Sequence, residues 1–304
     1  MLIFRRLTIM TPSTSESPPV SAYIPCYNNA GTLALTIQGI QSQTHPVDEL
    51  FAVDDGSADD SAAIAEGLGV RVIRMGKNQG RGAVRARAME AARNDLVLCC
   101  DATNRLSPNF LETALKWFSN EQTVGVYGRW VDRNARTAID RWRARHLFQQ
   151  EIPLPVQHQS ILCTYGTVVR KSAVLRAGNY NPLLRHGEDF DLGIRLTAMG
   201  DVVFDPALEV EPVTHNTLFQ VMERFARWNR SSIRTYTLTH FIDSHIVAWK
   251  ILIPRDIRKG DWPAALISAT LPYFAIAYAD NRSLTFSPKS KIAGNKTDTF
   301  ASDK

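Results

Sequence analysis

The sequence predicts an α/β fold: a mostly parallel sheet flanked by helices, followed by a helical C-terminal extension. Three observations point to it. Short apolar runs alternate with helix-patterned stretches over the first hundred residues, acids stand directly behind several of those runs, and the chain turns helix-like and aromatic-rich from about residue 231. The chain has 304 residues, 44% of them hydrophobic and 21% charged, which is the make-up of a folded protein with a sizeable core.

Taken in order, Val20-Ser21-Ala22-Tyr23-Ile24 reads as a first strand ended by Pro25, and residues 33–43 as a helix. Leu50-Phe51-Ala52-Val53 is a second strand with Asp54 and Asp55 at its carboxyl end. Ser57 is placed to cap the next helix, with Asp60 completing a capping box. Residues 70–75 give a third strand, 80–93 a helix, and Leu96-Val97-Leu98-Cys99-Cys100 a fourth strand ending at Asp101. Strand and helix alternating in this way require parallel pairing, and such sheets bind ligands outside the carboxyl ends of their strands. Beyond Asp101, residues 108–118 read as a helix, 124–131 and 163–170 as strands, and 141–155 as a long loop rich in Arg, Gln and Pro.

The expected organisation is a flexible tail over 1–19, an α/β catalytic domain over 20–230, a helical extension over 231–283 and a polar tail over 284–304. The opening residues, interrupted by Arg5-Arg6, read as a tail and not a signal peptide. Residues 262–279 are uncharged and contain Pro263 and Pro272. A buried or interfacial helical hairpin is expected there ahead of a transmembrane span. The four cysteines, Cys26, Cys99, Cys100 and Cys163, form no CxxC pair and fit buried thiols in a reducing compartment. A cytoplasmic protein is expected, peripheral on the inner face of the membrane if it touches one.

Net charge is +5, from 35 basic and 30 acidic residues, too small a surplus to argue for a nucleic-acid partner. Arg129, Arg133, Arg136, Arg141, Arg143 and Arg145 are concentrated in one stretch. They are either a solvated face or a contact for an anionic acceptor or a phospholipid surface.

Five pieces stand in a telling order: Tyr23-Ile24-Pro25-Cys26-Tyr27-Asn28; Val53-Asp54-Asp55-Gly56-Ser57; Asn78-Gln79-Gly80-Arg81-Gly82-Ala83-Val84-Arg85; Leu98-Cys99-Cys100-Asp101; and Gly187-Glu188-Asp189-Phe190-Asp191-Leu192 with Arg195. Together, over about residues 20–230, they resemble the family 2 inverting glycosyltransferases, which have the GT-A fold. The resemblance implies transfer of one sugar from a nucleotide-diphospho-sugar, a UDP-sugar being favoured, to a hydroxyl acceptor that is a glycan, lipid-linked or a small molecule.

It also implies residue roles. Pro25, Tyr27, Asp54, Asp55, Gly80, Arg85 and Asp101 fall on the nucleotide-binding positions. Carboxylates at strand ends accept hydrogen bonds from ribose hydroxyls or a base N–H, although Asp-Gly-Ser is also ordinary turn chemistry. The Gly80-Arg81-Gly82 helix start offers backbone N–H groups to a diphosphate, and Arg85 stands where the family carries an arginine near the nucleotide. Gly80-x-Gly82 imitates a dinucleotide fingerprint, but position 85 is Arg and not the third glycine. Asp101-Ala102-Thr103 falls on the family's Asp-x-Asp metal motif, where two acids share Mg²⁺ or Mn²⁺ with the diphosphate; here Thr103 brings no charge. Asn104 and His215 are the further candidate ligands.

Glu188-Asp189 is the candidate catalytic pair: the resemblance implies Asp189 as the general base that inverting transfer needs and Glu188 as a contact for the acceptor. Both also belong to the acidic first turn of a helix, where the macrodipole favours them. Arg224-Phe225-Ala226-Arg227-Trp228 resembles the Gln-x-x-Arg-Trp motif of processive synthases with Arg in place of Gln, and is equally an amphipathic helix. The alternatives are a nucleotidyltransferase and a non-catalytic sugar-nucleotide-binding protein. Pro25-Cys26-Tyr27-Asn28 is not the glycine-rich loop the first requires, and intact Glu188-Asp189 speaks against the second.

Overall fold

Alternate residues of the first strand face opposite layers of core, which is what fixes this sheet between two sets of helices. In the computed structural model, which describes residues 18–230 and 238–277, strand β1 (Val20–Cys26) sends Ala22 and Ile24 into one apolar cluster and Tyr23 into another. Helices α1 (Leu33–Gln41), α2 (Ser61–Gly67) and α4 (Phe110–Leu115) cover the first face, through Leu33, Ile37, Ile40, Ala65 and Phe110. Helices α3 (Arg81–Ala91), α6 (Lys171–Arg176) and α7 (Glu188–Thr197) cover the second, through Val84, Met89, Val174, Leu192 and Leu196.

The remaining strands are β2 (Glu49–Asp54), β3 (Arg71–Arg74), β4 (Leu96–Cys100), β5 (Asn104–Leu106), β6 (Thr123–Trp130), β7 (Gly166–Arg170) and β8 (Asp201–Pro212). They form one sheet in the order β3-β2-β1-β4-β7-β6-β8-β5. The pairs β3–β2, β2–β1, β1–β4 and β6–β8 are parallel, while β7 and β5 run antiparallel to their neighbours. The parallel half thus brings the carboxyl ends of β1, β2 and β4 to one edge. Because β7 is antiparallel to β4, pairing Gly166 with Cys100, it starts at that same edge.

Several expectations are corrected. Pro25 does not end β1; it pairs with Val53, beyond Tyr23, the last residue of β1 that β4 reaches, so its missing N–H breaks no ladder on that side. Ser57 caps no helix: α2 begins four residues later, with Asp60 at its N-cap and no side-chain cap. The expected strand over 163–170 starts only at Gly166. The expected loop over 141–155 is helical through residue 147, since α5 (Ala138–Trp142) runs into a π turn over Arg143–Leu147. Thr137 and Asp140 form a true capping box at its start.

The clustered arginines explain that helical stretch. Arg141 grips Asp261 through Nε and Nη2 at 2.8 and 2.9 Å, and Arg145 Nη1 reaches Asp256 Oδ1 at 2.6 Å. Arg143 stacks over Trp130 and pairs with Asp132. Arg129 donates to carbonyls of Gln149, Gln150 and Ile152, and Arg133 pairs with Glu209 and Glu211. Five of the six arginines are therefore engaged by partners within the chain, with Arg143 and Arg145 buried.

The C-terminal helices are α8 (Leu218–Arg230), α9 (Leu238–Val247), α10 (Ile253–Arg258) and α11 (Trp262–Ala277); α8 and α11 join Trp142 of α5 and Leu252, just ahead of α10, in a third apolar cluster of Trp142, Val221, Met222, Leu252, Ala264, Ile267 and Leu271. The expected hairpin at 262–279 is instead one continuous helix as far as Ala277. No helix among the described residues is long and apolar enough to cross a membrane. Residues 1–17 of the tail expected over 1–19, the segment 231–237 and the polar tail expected over 284–304 lie outside the described residues.

Candidate active site

A cleft of about 470 Å³ opens at the carboxyl edge of the parallel strands. Pro25 and Tyr27, from the end of β1, form part of its wall, with Asp55 behind β2 and Gly80 at the start of α3. Asp101 and Thr103, just past β4, line it too, and Arg85 rises into it from α3. Seven sequence-predicted residues are thus brought together from four separate stretches. Asp54, Glu188, Asp189 and His215 are not among the lining residues.

Asp54 and Asp55 divide their work. The Asp54 carboxylate turns back to accept the Ser57 N–H and hydroxyl, closing the Asp-Gly-Ser turn beneath the cleft. Ser57 Oγ in turn accepts the Asn28 N–H at 2.9 Å, and Asn28 Oδ1 accepts that of Ala58 at 2.8 Å, so the loops after β1 and β2 are laced together. Gly56 has φ +75°, and a side chain there would strike the backbone of Lys77 at 2.7 Å. Cys26, buried beside Asp54, has its thiol pushed up to about 12 by loss of water and by that carboxylate, so it stays neutral.

Asp55 faces the cleft but spends both oxygens on the chain, accepting N–H groups of Gln79 at 2.7 Å and Gly80 at 2.9 Å. The Gly82 N–H goes to Leu184 O at 3.0 Å. Of the N–H groups expected to meet a diphosphate at the glycine-rich start of α3, those of Gly80 and Gly82 are thus taken by the chain itself. The glycines serve close packing: a Cβ on Gly82 would stand 2.1 Å from Asn181 O and 2.5 Å from Leu184 O. Those carbonyls belong to the loop that leads into Glu188-Asp189 at the start of α7.

Arg85 is buried at 1% exposure. Its Nη2 donates to Asp101 Oδ1 at 2.8 Å, Nε to Glu188 Oε1 at 3.1 Å, and Nη1 to Cys99 Sγ at 2.7 Å. Arg85 therefore joins the carboxylate after β4 to the one opening α7. Glu188 is buried, with Gly187 at the N-cap in the left-handed region at φ +70°. Asp189 follows, its Oδ1 accepting the Phe190 N–H at 2.9 Å. Burial, reinforced by the negative Glu188 and opposed by Arg85, holds the Asp189 carboxyl above the ordinary carboxylate range. Arg195 ties the helix down, pairing with Asp191 at 2.5 Å and donating to Asn179 O at 2.8 Å.

The residues proposed for metal meet different fates. Asp101 is paired with Arg85, and Thr103 lines the cleft as a neutral oxygen. Asn104 is buried with its amide on Tyr165 O, and His215 Nδ1 is bonded to Asp140 Oδ2 at 2.8 Å. Among the described residues no group of three or more His, Cys, Asp or Glu side chains could hold a metal ion. One carboxylate already engaged by a guanidinium does not make a divalent-cation site.

Four basic lining residues were not assigned a role from sequence: Arg81, Arg185, His186 and Arg224. Arg81 stood inside the glycine-rich piece and Arg224 at the glutamine of the synthase-like motif, while nothing in the sequence marked Arg185 or His186. Arg185 and His186 precede Glu188 by a few residues and enter the cleft because the loop packs on Gly82.

A sheet of this order, with its cleft outside β1, β2 and β4 and helices on both faces, is that of a GT-A glycosyltransferase. Residues 21–178, just over half of the chain, match the family described as Glycosyl transferase family 2, and the chain belongs to that family. The hyaluronan synthase of Streptococcus pyogenes is 34% identical over 131 residues, covering 40% of this chain and 31% of that protein. The uncharacterized protein MT1568 of Mycobacterium tuberculosis is 28% identical over 209 residues, 62% of this chain and 65% of its own. The chain spans about a third of the length of the first curated relatives it matches. Among solved structures, a Pyrobaculum calidifontis mannosyltransferase in complex with GDP-Man and Mn²⁺ superimposes with TM-score 0.57 at 14% identity, over 86% of each chain. Residues 1–349 of S. aureus TarS in complex with UDP-GlcNAc give 0.52 at 13% identity, over 85% of this chain and 81% of that one. At these identities the two likenesses establish the fold. Family membership favours a transferase over the nucleotidyltransferase and non-catalytic alternatives.

Proposed function

We propose that this glycosyltransferase moves a single sugar, with inversion, from a nucleotide-diphospho-sugar to a hydroxyl acceptor, with Asp189 as general base. The observation that carries the reading is the Arg85 bridge, which joins the donor-side Asp101 to Glu188 and so fixes α7, with Asp189, against the cleft. The raised carboxyl of Asp189 supports its role, because a base must hold the acceptor's proton as it leaves. The acceptor oxygen forms its bond to the anomeric carbon from the face opposite the diphosphate. The bond from that carbon to the diphosphate oxygen breaks, its electron pair leaves with the diphosphate, and the hydroxyl proton passes to Asp189.

Pro25, Tyr27 and Asp55, at the ends of β1 and β2, fit the nucleoside end of the donor, a UDP-sugar being favoured. Exposed Trp262, Leu266 and Tyr273 form one stripe on α11, and Trp249 is exposed beside α10. These supply apolar contacts for a lipid-linked acceptor at a membrane surface.

Two measurements test the reading. Thermal shifts with UDP-, GDP- and dTDP-sugars are expected to single out one nucleotide, since specific binding stabilises by mass action. With that donor, Asp189→Asn is expected to lose at least about a hundredfold in turnover while still binding nucleotide. Full activity in the variant would remove Asp189 as the base.

A further inference from the structure

The charge around the cleft is lopsided in a way that a metal-dependent site would not need. Among the described residues lining it, Asp55 and Asp101 are the only carboxylates, against four arginines and His186. Both acids are already engaged, Asp55 by two backbone N–H groups and Asp101 by Arg85. A hard divalent cation gathers anionic oxygens, but here it would find one carboxylate and the neutral Thr103, with a buried guanidinium 2.8 Å from that carboxylate. Placing a cation there sets like charges against each other at short range. The donor set does not fit Mg²⁺ or Mn²⁺.

The other arginines come from three parts of the chain. Arg81 opens α3, Arg185 stands on the loop before α7, and Arg224 projects from α8 of the C-terminal helices. Arg185 is oriented by Asn78 Oδ1, across the cleft mouth from its own loop. A planar guanidinium donates two parallel N–H bonds to a phosphate and is always charged, which suits it to a site where negative charge develops.

Building on the donor reading above, we propose that Arg81, Arg185 and Arg224 hold the donor diphosphate and neutralise the charge it gains on departure, in place of a divalent cation. The electron pair released when the anomeric carbon–oxygen bond breaks is then met by guanidinium groups, and the acceptor proton still goes to Asp189. Arg224 makes the C-terminal helices part of the donor site. The same residue explains why Arg occupies that place in the synthase-like motif: the position carries charge.

The test is calorimetric titration of the full chain with UDP, GDP and dTDP and with the matching nucleosides, in EDTA and in MnCl₂. At least one diphosphate is expected to bind in EDTA with a Kd within about threefold of its value in Mn²⁺, since binding is not linked to metal. Arg81→Ala and Arg224→Ala are each expected to weaken that diphosphate by roughly tenfold or more, the worth of a charged hydrogen bond, and to leave nucleoside affinity unchanged. Arg224→Lys, which keeps the charge, is expected to recover part of the loss, and thermal melts identify any variant that fails to fold. Binding that disappears in EDTA and returns with Mn²⁺, or diphosphate affinity indifferent to both arginines, overturns the proposal and leaves the donor reading standing. Failure of every nucleotide in both buffers overturns the donor reading and this proposal with it.

Discussion

Arg85 and Glu188 lie 103 positions apart in the chain and meet in its interior, Nε to Oε1 at 3.1 Å, with both side chains at 3% exposure or less. The same guanidinium holds Asp101 at 2.8 Å. The bond joins the third helix of the parallel half to the helix that carries the proposed base, so α3 and α7 cannot shift independently.

Removing that guanidinium strands Glu188 without its partner in the interior. Arg85→Ala is expected to lower unfolding stability by about 3 kcal/mol or more, measured by urea denaturation. Arg85→Lys should remain well below the native chain, because one ammonium cannot reproduce the fork that reaches both carboxylates. A loss under about 1 kcal/mol for Arg85→Ala would show that the bridge is dispensable.

The raised carboxyl of Asp189 has two consequences of known sign. Only its ionised form takes a proton, so kcat/KM should fall as pH drops through a point above the usual carboxylate range, near 4. The folded protein binds this proton more tightly than the unfolded chain does, so Asp189 contributes stability at acid pH that is lost as pH rises through the folded pKa. Asp189→Asn should therefore melt at or above the native temperature at neutral pH, and the gain should shrink on acidification. A variant that melts lower at neutral pH would contradict the assignment of burial as the cause.

Gly82 tests the packing between α3 and the loop ahead of α7. A methyl group there meets backbone carbonyls at 2.1 and 2.5 Å, and neither can rotate away. Gly82→Ala is expected to cost about 1–3 kcal/mol and to lower turnover by displacing Glu188 and Asp189. Gly67→Ala, with nothing within 4 Å, serves as the control and should be close to neutral. Equal behaviour of the two variants would refute the close-approach account.

Asp256 is the centre of the C-terminal fastening, accepting from Arg145 at 2.6 Å, His146 at 2.7 Å and Ser268 at 2.6 Å. Burial works against its charge, but the bonds from His146, Ser268 and Arg145 prevail and hold its carboxyl below the ordinary range. Its contribution is present above the unfolded carboxylate pKa and is lost as pH falls through the depressed folded value. Asp256→Ala is expected to cost about 3–5 kcal/mol and to expose α10 and α11 to limited proteolysis. A protease-resistant variant of native stability would place the fastening elsewhere.

Much of the parallel half of the fold was legible in the chain. β1, β2, β3 and β4 were each read within two residues, because their apolar runs are short, dense and bounded by turn residues or acids. Seven of the proposed site residues do share one cleft, since parallel pairing sends the ends of β1, β2 and β4 to one edge whatever the loops do. Family membership was legible for the same reason, through motifs that sit at those ends.

What the tertiary structure alone decided is where each charge goes. Asp54 and Asp55 are adjacent and alike in sequence, yet one folds back on Ser57 while the other faces the cleft and holds Gln79 and Gly80. The arginines around position 140 look like a basic surface until Asp256 and Asp261, more than a hundred residues on, fold beneath them. Arg85, expected from sequence at the nucleotide, also proves to be the buried partner of Asp101 and Glu188. A local sequence pattern reports periodicity and turn chemistry, which act over a few residues. A buried charge is assigned by its partner, and here the partners come together only when the sheet, α7 and the C-terminal helices are all in place.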